Sequence, residues 1–434
     1  MKSIKKINRW LNIRKKKIYF SVEKKNISIL KKWVSDSNKI YHTSGKFFQI
    51  LGIRLKSNFF INNSWDQPVI YQNEKGILGI IRYFNKGRAE YLLQAKAEPG
   101  NINKLQLSPT VQATKSNYNR VHSGKRVQYL NFFKNLKKKD VLINSLQSEQ
   151  GGRYLHKYNR NIMINVKFKI KPNTNYIWLS KQNICESINK NNFLNMDTVS
   201  VFSCSIKKNF YDFPKNSTNN LNAWFKKLKK RYFIKRKIIP LADMRNWNYS
   251  KKDINHKSKK YFSVIGVKIK SNSREIPEWE QPIIKEINLG LSGFIVKKIN
   301  STYHYLVRFS LKPGLSDPRL TCTVRTSDAK NCLINKNYSS LKDNDLMKHY
   351  MKKYFIKNNN GKIIYNKIHS DEGGRFFHSQ SKNIIVEING DENIRVNSNY
   401  IWMSHNQVLH FLKRGIFNIE ARLLFTCFNI KNIL

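Results

Sequence analysis

Acidic residues are scarce in this chain. Against 81 Lys and Arg stand only 27 Asp and Glu, a net charge of +54 over 434 residues. Cysteine is scarce too. The five, at 185, 204, 322, 332 and 427, form no C-x-x-C pair, and none lies near histidines at metal-ligand spacing. That argues against a disulfide framework and against a thiolate metal site. An odd, scattered set suits a reducing cytoplasm, with the thiols as small buried groups. No apolar run approaches the ~20 residues of a membrane span. The opening stretch, MKSIKKINRWLNIRKKK, is basic without the apolar centre of a secretory signal. No G-x-G-x-x-G follows a strand-like run, so no nicotinamide cofactor is expected.

What is present is enough to fold. Hydrophobic residues make up 40% and aromatics 12%, which excludes a disordered composition, and the length suits two domains. The positive charge has two readings. Lys and Arg displace counterions from phosphates, the signature of nucleic-acid binding. Here, however, the lysines are spread along the chain and rise together with Asn and Ile, as in INKNNFLNM, the residues of AT-rich codons. Composition accounts for the charge, a nucleic-acid partner is disfavoured, and a diffuse positive field also attracts phosphorylated small molecules.

The chain is written twice. GIRLKSNFFINNSWDQPVI from Gly52 recurs 214 residues later as GVKIKSNSREIPEWEQPII from Gly266, so that Trp65, Gln67 and Pro68 match Trp279, Gln281 and Pro282. EPGN at 98–101 matches KPGL at 312–315, SEQGGRYLH from Ser148 matches SDEGGRFFH from Ser370, and NYIWLS from Asn175 matches NYIWMS from Asn399. Two homologous modules follow, 1–205 and 206–434, joined through a Pro-, Ser- and Asn-containing linker at 208–220. Within each, short alternating or apolar runs bounded by Gly, Pro and Asn predict strands, as at 76–84, 89–98, 108–116 and 162–170. Helical spacing appears at 127–138, 186–192 and 408–415. The expected class is α+β: two tandem modules, each a mixed or antiparallel sheet flanked by helices. A duplicated module implies a pseudo-twofold arrangement.

One stretch departs from the prevailing composition: QAKAEPGNINKLQLSPTVQATKSNY, residues 94–118. As strands, it places Gln94, Lys96 and Glu98 on one face, and Thr110, Gln112, Thr114 and Ser116 on another. Laid side by side these make either a floor for a polar ligand or a solvated sheet face. The second copy keeps the Tyr, Leu, Pro, Gly, Thr and Val skeleton but has Arg308, Ser310 and Lys312 for Gln94, Lys96 and Glu98. A structural need would hold in both copies; chemistry needs only one. The first module is therefore expected to be catalytic, and the second to carry a degenerate site kept for binding or scaffolding.

WDQPVI, GILG, EYLLQAKAEPGN, LQLSPTVQATKSNY and SEQGGRY together resemble the NDP-hexose 2,3-dehydratase family, over nearly the whole chain. The resemblance implies tandem Nudix-like modules, a homodimer, and a dTDP-4-keto-6-deoxyglucose-type substrate in deoxysugar biosynthesis. It implies a carbon–oxygen lyase needing neither cofactor nor metal, and a downstream 3-ketoreductase that consumes the product. No Nudix box of clustered glutamates is visible, so pyrophosphate hydrolysis is disfavoured. The rivals are a non-catalytic nucleotide-sugar-binding protein and a basic nucleic-acid-binding protein.

Elimination of water across C2 and C3 needs a base, an acid, and donors for the oxyanion developing on O4. Glu98, beside its Pro-Gly turn, is a candidate base or acid. His122 is a second proton carrier or a surface-loop histidine. Tyr118 protonates the leaving hydroxyl or packs, and Lys96 stabilises the enolate or pairs with Glu98. For binding, Arg153 and its repeat Arg375 suit a diphosphate, or mark a structural turn with a buried ion pair. Trp65, like Trp279, stacks a base or packs in a core. Gln94, Thr110, Gln112, Thr114 and Asn117 are the candidate polar contacts to sugar or nucleotide.

Overall fold

The strands of this chain alternate or run apolar according to how many of their faces are covered. Gly76–Asn85 buries Leu78 and Ile80 in one core and Ile77 and Ile81 in another. A strand covered on both sides reads as an unbroken apolar run, which is why GILGII does not alternate. In a computed structural model, describing residues 3–119, 121, 124–334, 344–356 and 360–434, this strand lies at the centre of a seven-stranded mixed sheet. The sheet runs Val141–Ser148, Tyr158–Val166, Gly76–Asn85, Arg88–Ala97, Tyr176–Ser180. The pair Tyr158–Val166 and Gly76–Asn85 is parallel, and its neighbours are antiparallel. The second half repeats the sheet around Gly290–Ile299 and Thr302–Ser310.

The expected strand at 108–116 is instead two short strands. Leu105–Ser108 pairs with Arg88–Ala97, and Val111–Ala113 with Gly76–Asn85. The central hairpin forks above Ile81 and Leu92, and the two short strands fill the fork. Thr110 sits at the crotch, fully buried. Its hydroxyl accepts from the Ile81 N–H at 3.0 Å and donates to the Leu92 carbonyl. Thr323 does the same between Ile295 and Leu306. The threonine recurs in both copies because each fork leaves one donor and one acceptor that would otherwise be buried without partners.

Two smaller six-stranded sheets tie the halves together by exchange. Phe20–Lys25 of the first half pairs antiparallel with Ser263–Ser271 of the second, and Ile234–Ile239 of the second with Gln49–Ser57 of the first. Helices Met196–Ser203 and Ile419–Asn429 pack on one another across the shared core. Between them Arg422 is fully buried and donates to the Ser200 hydroxyl at 2.8 Å and the Ser203 hydroxyl at 2.9 Å. Phe202 meets the Tyr91 ring edge-on at 5.1 Å and has no exposure. Burial of such a side chain contributes about 1.5–3 kcal/mol.

Ser180 and Ser404 start helices Lys181–Ile188 and His405–Lys413 with matching capping boxes, which explains the serine that ends both NYIW repeats. Two other expectations are revised. The helical spacing at 127–138 yields only Asn131–Lys134, whose Phe133 fills the space above Gly79. The 208–220 linker ends early, because Ser217 caps a helix Thr218–Arg231. Among the described residues no helix is long and apolar enough to cross a membrane.

Candidate functional site

Each Pro-Gly turn docks on the Gly-Gly-Arg turn of the other half. The Gly100 N–H donates to the Gly373 carbonyl at 2.7 Å, and the His378 N–H donates back to the Gly100 carbonyl at 2.9 Å. A Cβ on Gly100 would lie 1.6 Å from the Phe376 carbonyl oxygen, so only glycine fits. Gly314 repeats the contact on Gly151. The recurring tryptophans brace these turns. The Trp279 indole N–H donates to the Gln281 Oε1 at 2.9 Å, and the Gln281 amide donates to the Gly374 carbonyl at 2.7 Å. Trp65, Gln67 and Gly152 form the same chain in the first copy. Trp65 thus packs and braces the Gly-Gly-Arg turn of its own half, and does not line the Glu98 cleft as a base-stacking residue.

The docking of 98–101 on 372–375 closes a cleft lined from both halves. The first half supplies Lys96, Glu98, Gln112, Thr114, Asn117, Glu149, Lys157 and Asp197; the second supplies Arg274, Glu372, Gly374 and Arg375. Glu98 is 3% exposed. Its Oε1 accepts from the Gln112 amide at 2.9 Å and lies 3.5 Å from the Lys96 ammonium, while its Oε2 has no partner among the described residues. The Lys96 ammonium also donates to the Gln112 carbonyl at 3.2 Å, and burial depresses its pKa. The Asn195 amide holds Gln112 in turn, at 3.2 Å, from the cap of helix Met196–Ser203.

Three further carboxyls face this pair. Burial is the main cause that raises the pKa of each. Asp197 is also raised by Glu149, Glu372 and Glu98, and Glu372 by Glu98 and Glu149. Glu149 is pulled back by Arg422 and the Asn159 amide. Glu372 is pushed up to about 7. Its Oε1 accepts from the Gly374 N–H at 2.7 Å and its Oε2 from the Tyr154 hydroxyl at 3.1 Å. Lys157 is lowered by burial to about 8. Like charges in a shared, poorly hydrated space cannot all ionise, so this cleft holds protons at neutral pH.

The two duplicated arginines have different surroundings. Arg153 makes a bidentate ion pair with Glu286, at 2.8 and 3.1 Å, with its guanidinium 3.8 Å over the Phe262 ring. Arg375 lies 4.0 Å over the matching Phe48 ring and makes no ion pair among the described residues. Position 286 repeats position 72, where the first copy has Gln72, another residue of the Glu98 cleft. The surroundings of Lys312, the repeat of Glu98, differ as well. Phe59 and Phe60 pack on Phe309 and Leu311 there, where the equivalent residues of the other copy are Ser273 and Arg274, and Arg274 lines the Glu98 cleft.

Beyond Asn117, Arg274 and Arg375 the cleft widens into a larger groove. Its walls combine His42, Phe47 and Phe48 from the first half with Trp279 from the second, and Lys31 and Lys32 add positive charge.

Lys96, Glu98, Gln112, Thr114, Asn117 and Arg375 are therefore brought together. Others foreseen from sequence are not. Thr110 spends its hydroxyl on the backbone fork. Gln94 stays in the ladder between Ser108 and Tyr176, off the cleft lining. Tyr118 turns on its short helix to pack against the Ile77–Phe133 core, beneath Lys134. Arg153 belongs to the other cleft, neutralised by Glu286. His122 lies outside the described residues. Glu149, Asp197 and Glu372 do not stand out in the sequence. Glu149 and Asp197 both align with acids, Asp371 and Glu420, so no difference between the copies marks them, and Glu372 lies in the second copy.

A family model described as NDP-hexose 2,3-dehydratase matches residues 4–205 and again 218–428. Three proteins named dTDP-4-dehydro-6-deoxy-alpha-D-glucopyranose 2,3-dehydratase are each 32% identical to the chain. That from Amycolatopsis orientalis aligns over 98% of this chain and 89% of its own length. Those from Streptomyces violaceoruber and Saccharopolyspora spinosa cover 92% and 96% of this chain and 90% and 89% of theirs.

Proposed function

The chain belongs to the NDP-hexose 2,3-dehydratase family and is a sugar-nucleotide 2,3-dehydratase; from that premise we propose that it acts on dTDP-4-keto-6-deoxyglucose in the cleft around Glu98. The observation that carries this reading is the Glu98 carboxylate itself. It is buried, steadied on one oxygen by Gln112 and Lys96, without a partner on the other among the described residues, and lines a cleft that also holds Arg375, which makes no ion pair among the described residues. The C3 hydrogen of the substrate lies alpha to the C4 ketone, so one carboxylate base suffices to start the elimination. Lys96 is placed to meet the charge that moves to O4. Arg375 and Arg274 bind the diphosphate, with Arg375 offering a planar fork of donors pre-set by the Phe48 ring. The aromatic groove beyond them takes the nucleoside, and Thr114 and Asn117 contact sugar or nucleotide oxygens.

The same reading makes the protein a hydro-lyase of Nudix-like modules, working as a cytoplasmic homodimer and passing its product to a 3-ketoreductase. The test is incubation of purified protein with dTDP-4-keto-6-deoxyglucose, a 3-ketoreductase and reduced nicotinamide, followed by mass spectrometry. A 2-deoxy sugar nucleotide is expected. Intact substrate in the presence of tight dTDP binding would instead indicate a sugar-nucleotide-binding protein without turnover.

A further inference from the structure

We propose that Glu372, supplied by the second half, is the general acid that protonates the departing C2 hydroxyl in the Glu98 cleft. The assignment rests on the dehydratase reading and deepens it. Elimination requires two proton carriers within reach of one sugar. Glu98 and Glu372 are mounted on turns that interlock: a Cβ on Gly373, the residue after Glu372, would lie 2.9 Å from the Cβ of Glu98. Both side chains line the one cleft.

Their environments separate their roles. Glu98 is met by an ammonium and an amide donor. Glu372 makes no ion pair among the described residues and receives the Gly374 N–H and the Tyr154 hydroxyl. The groups facing it are Glu98, Glu149 and Asp197, which disfavour its ionisation, and Arg375 and Lys157, which favour it. Burial with those acids lets it keep its proton up to about pH 7. A carboxyl held by donors beside one that keeps its proton suits a base and an acid.

The duplication supports the pairing independently. In the second cleft the position of Glu98 is Lys312 and that of Glu372 is Gln150. Gln150 turns its amide to the Met196 sulfur. Both carboxyls are present in one cleft and both are absent from the other, although they come from different halves of the chain.

The step balances without a further reactant. Glu98 takes the C3 hydrogen as a proton, and the C–H electron pair forms the C3–C4 double bond of an enolate with its charge on O4. That pair then forms the C2–C3 double bond as the C2–O bond breaks, and the hydroxyl leaves with the Glu372 proton as water. The 3-hydroxy-2-ene-4-ketone tautomerises to the 3,4-diketone. Solvent returns a proton to Glu372 and takes one from Glu98.

Glu372→Gln keeps the shape and an acceptor for the Tyr154 hydroxyl but cannot give up a proton. Assayed in deuterium oxide on dTDP-4-keto-6-deoxyglucose, it should still exchange the C3 hydrogen, which also reports a folded site, while product formation falls by about 10²–10⁴-fold. On the 2-deoxy-2-fluoro analogue, whose fluoride leaves without full protonation, its fluoride release should stay within about tenfold of the parent. Glu98→Gln should lose exchange and elimination on both substrates. Equal losses for Glu372→Gln on the hydroxyl and fluoro substrates, or loss of its C3 exchange, would overturn the assignment. A parent protein that neither exchanges nor eliminates would overturn the dehydratase reading itself, and this assignment with it.

Discussion

Arg153 and Glu286 are joined by two hydrogen bonds, of 2.8 and 3.1 Å, whereas the duplicated arginine, Arg375, shares its cleft with Gln72 and no carboxylate pairs with it among the described residues. A single amide-for-acid difference between the copies thus decides which guanidinium is available to an anionic ligand. Gln72→Glu should pair Arg375 as Glu286 pairs Arg153. A charge-assisted hydrogen bond contributes about 1.5–3 kcal/mol, so the dTDP dissociation constant should rise roughly tenfold to a hundredfold. Titration calorimetry measures this, and unchanged affinity would remove Arg375 from the diphosphate site.

Gly100→Ala should be among the most damaging small changes in the chain. Its new methyl would meet the Phe376 carbonyl oxygen at 1.6 Å, and that oxygen belongs to backbone that cannot move aside as a side chain can. A loss of about 3 kcal/mol or more is expected in urea unfolding, from the steric clash and the broken contact with Gly373. A stability change under about 0.5 kcal/mol would show that the two turns are not locked together.

Thr110→Val separates scaffold from ligand contact. It leaves the Ile81 N–H and the Leu92 carbonyl buried without partners, a cost of about 1–3 kcal/mol for each such group. Stability should fall while the dTDP dissociation constant stays within about twofold. Thr323→Val should destabilise comparably, because the fork is the same there. Weakened dTDP binding at unchanged stability would return Thr110 to the ligand.

Glu372 also predicts how stability depends on pH. Its carboxyl is held at about 7 in the fold against an ordinary 4.5. Between those values the native chain binds more protons than the unfolded one, so stability falls as pH rises through that window and levels off above it. Glu149 and Asp197, also raised by burial, act in the same direction. Glu372→Gln should flatten the fall between about pH 5 and about pH 8, followed as urea midpoints. An unchanged slope would mean that Glu372 ionises like an exposed carboxyl.

Much of this architecture was legible in the residues. Alternation with Gly and Pro breaks located Gly76–Asn85 and Arg88–Ala97, and the repeat paired NYIWLS with NYIWMS, each of which forms a strand that ends on a helix cap. What was not legible depends on partners distant in sequence. Pattern alone cannot show that Thr110 bridges a fork, because its hydroxyl substitutes for backbone partners contributed by Ile81 and Leu92. Nor can it show strand exchange, because Phe20–Lys25 pairs with a strand more than half the chain away. Comparing the copies position by position singles out Glu98 as a difference between them. It also led to discounting the second copy, since each cleft draws its Gly-Gly-Arg turn from the opposite half. Glu372 and Arg375 therefore line the Glu98 cleft.

The most direct test compares Glu98→Gln with Lys312→Gln for turnover of dTDP-4-keto-6-deoxyglucose, trapped by a 3-ketoreductase and read by mass spectrometry. The two positions are equivalent in the repeat and differ only in which cleft they face. The account predicts that Glu98→Gln loses the 2-deoxy product by about 10²–10⁴-fold, while Lys312→Gln keeps turnover within about threefold of the parent. Loss of product on changing Lys312, with turnover retained on changing Glu98, would place the chemistry in the second cleft and contradict it.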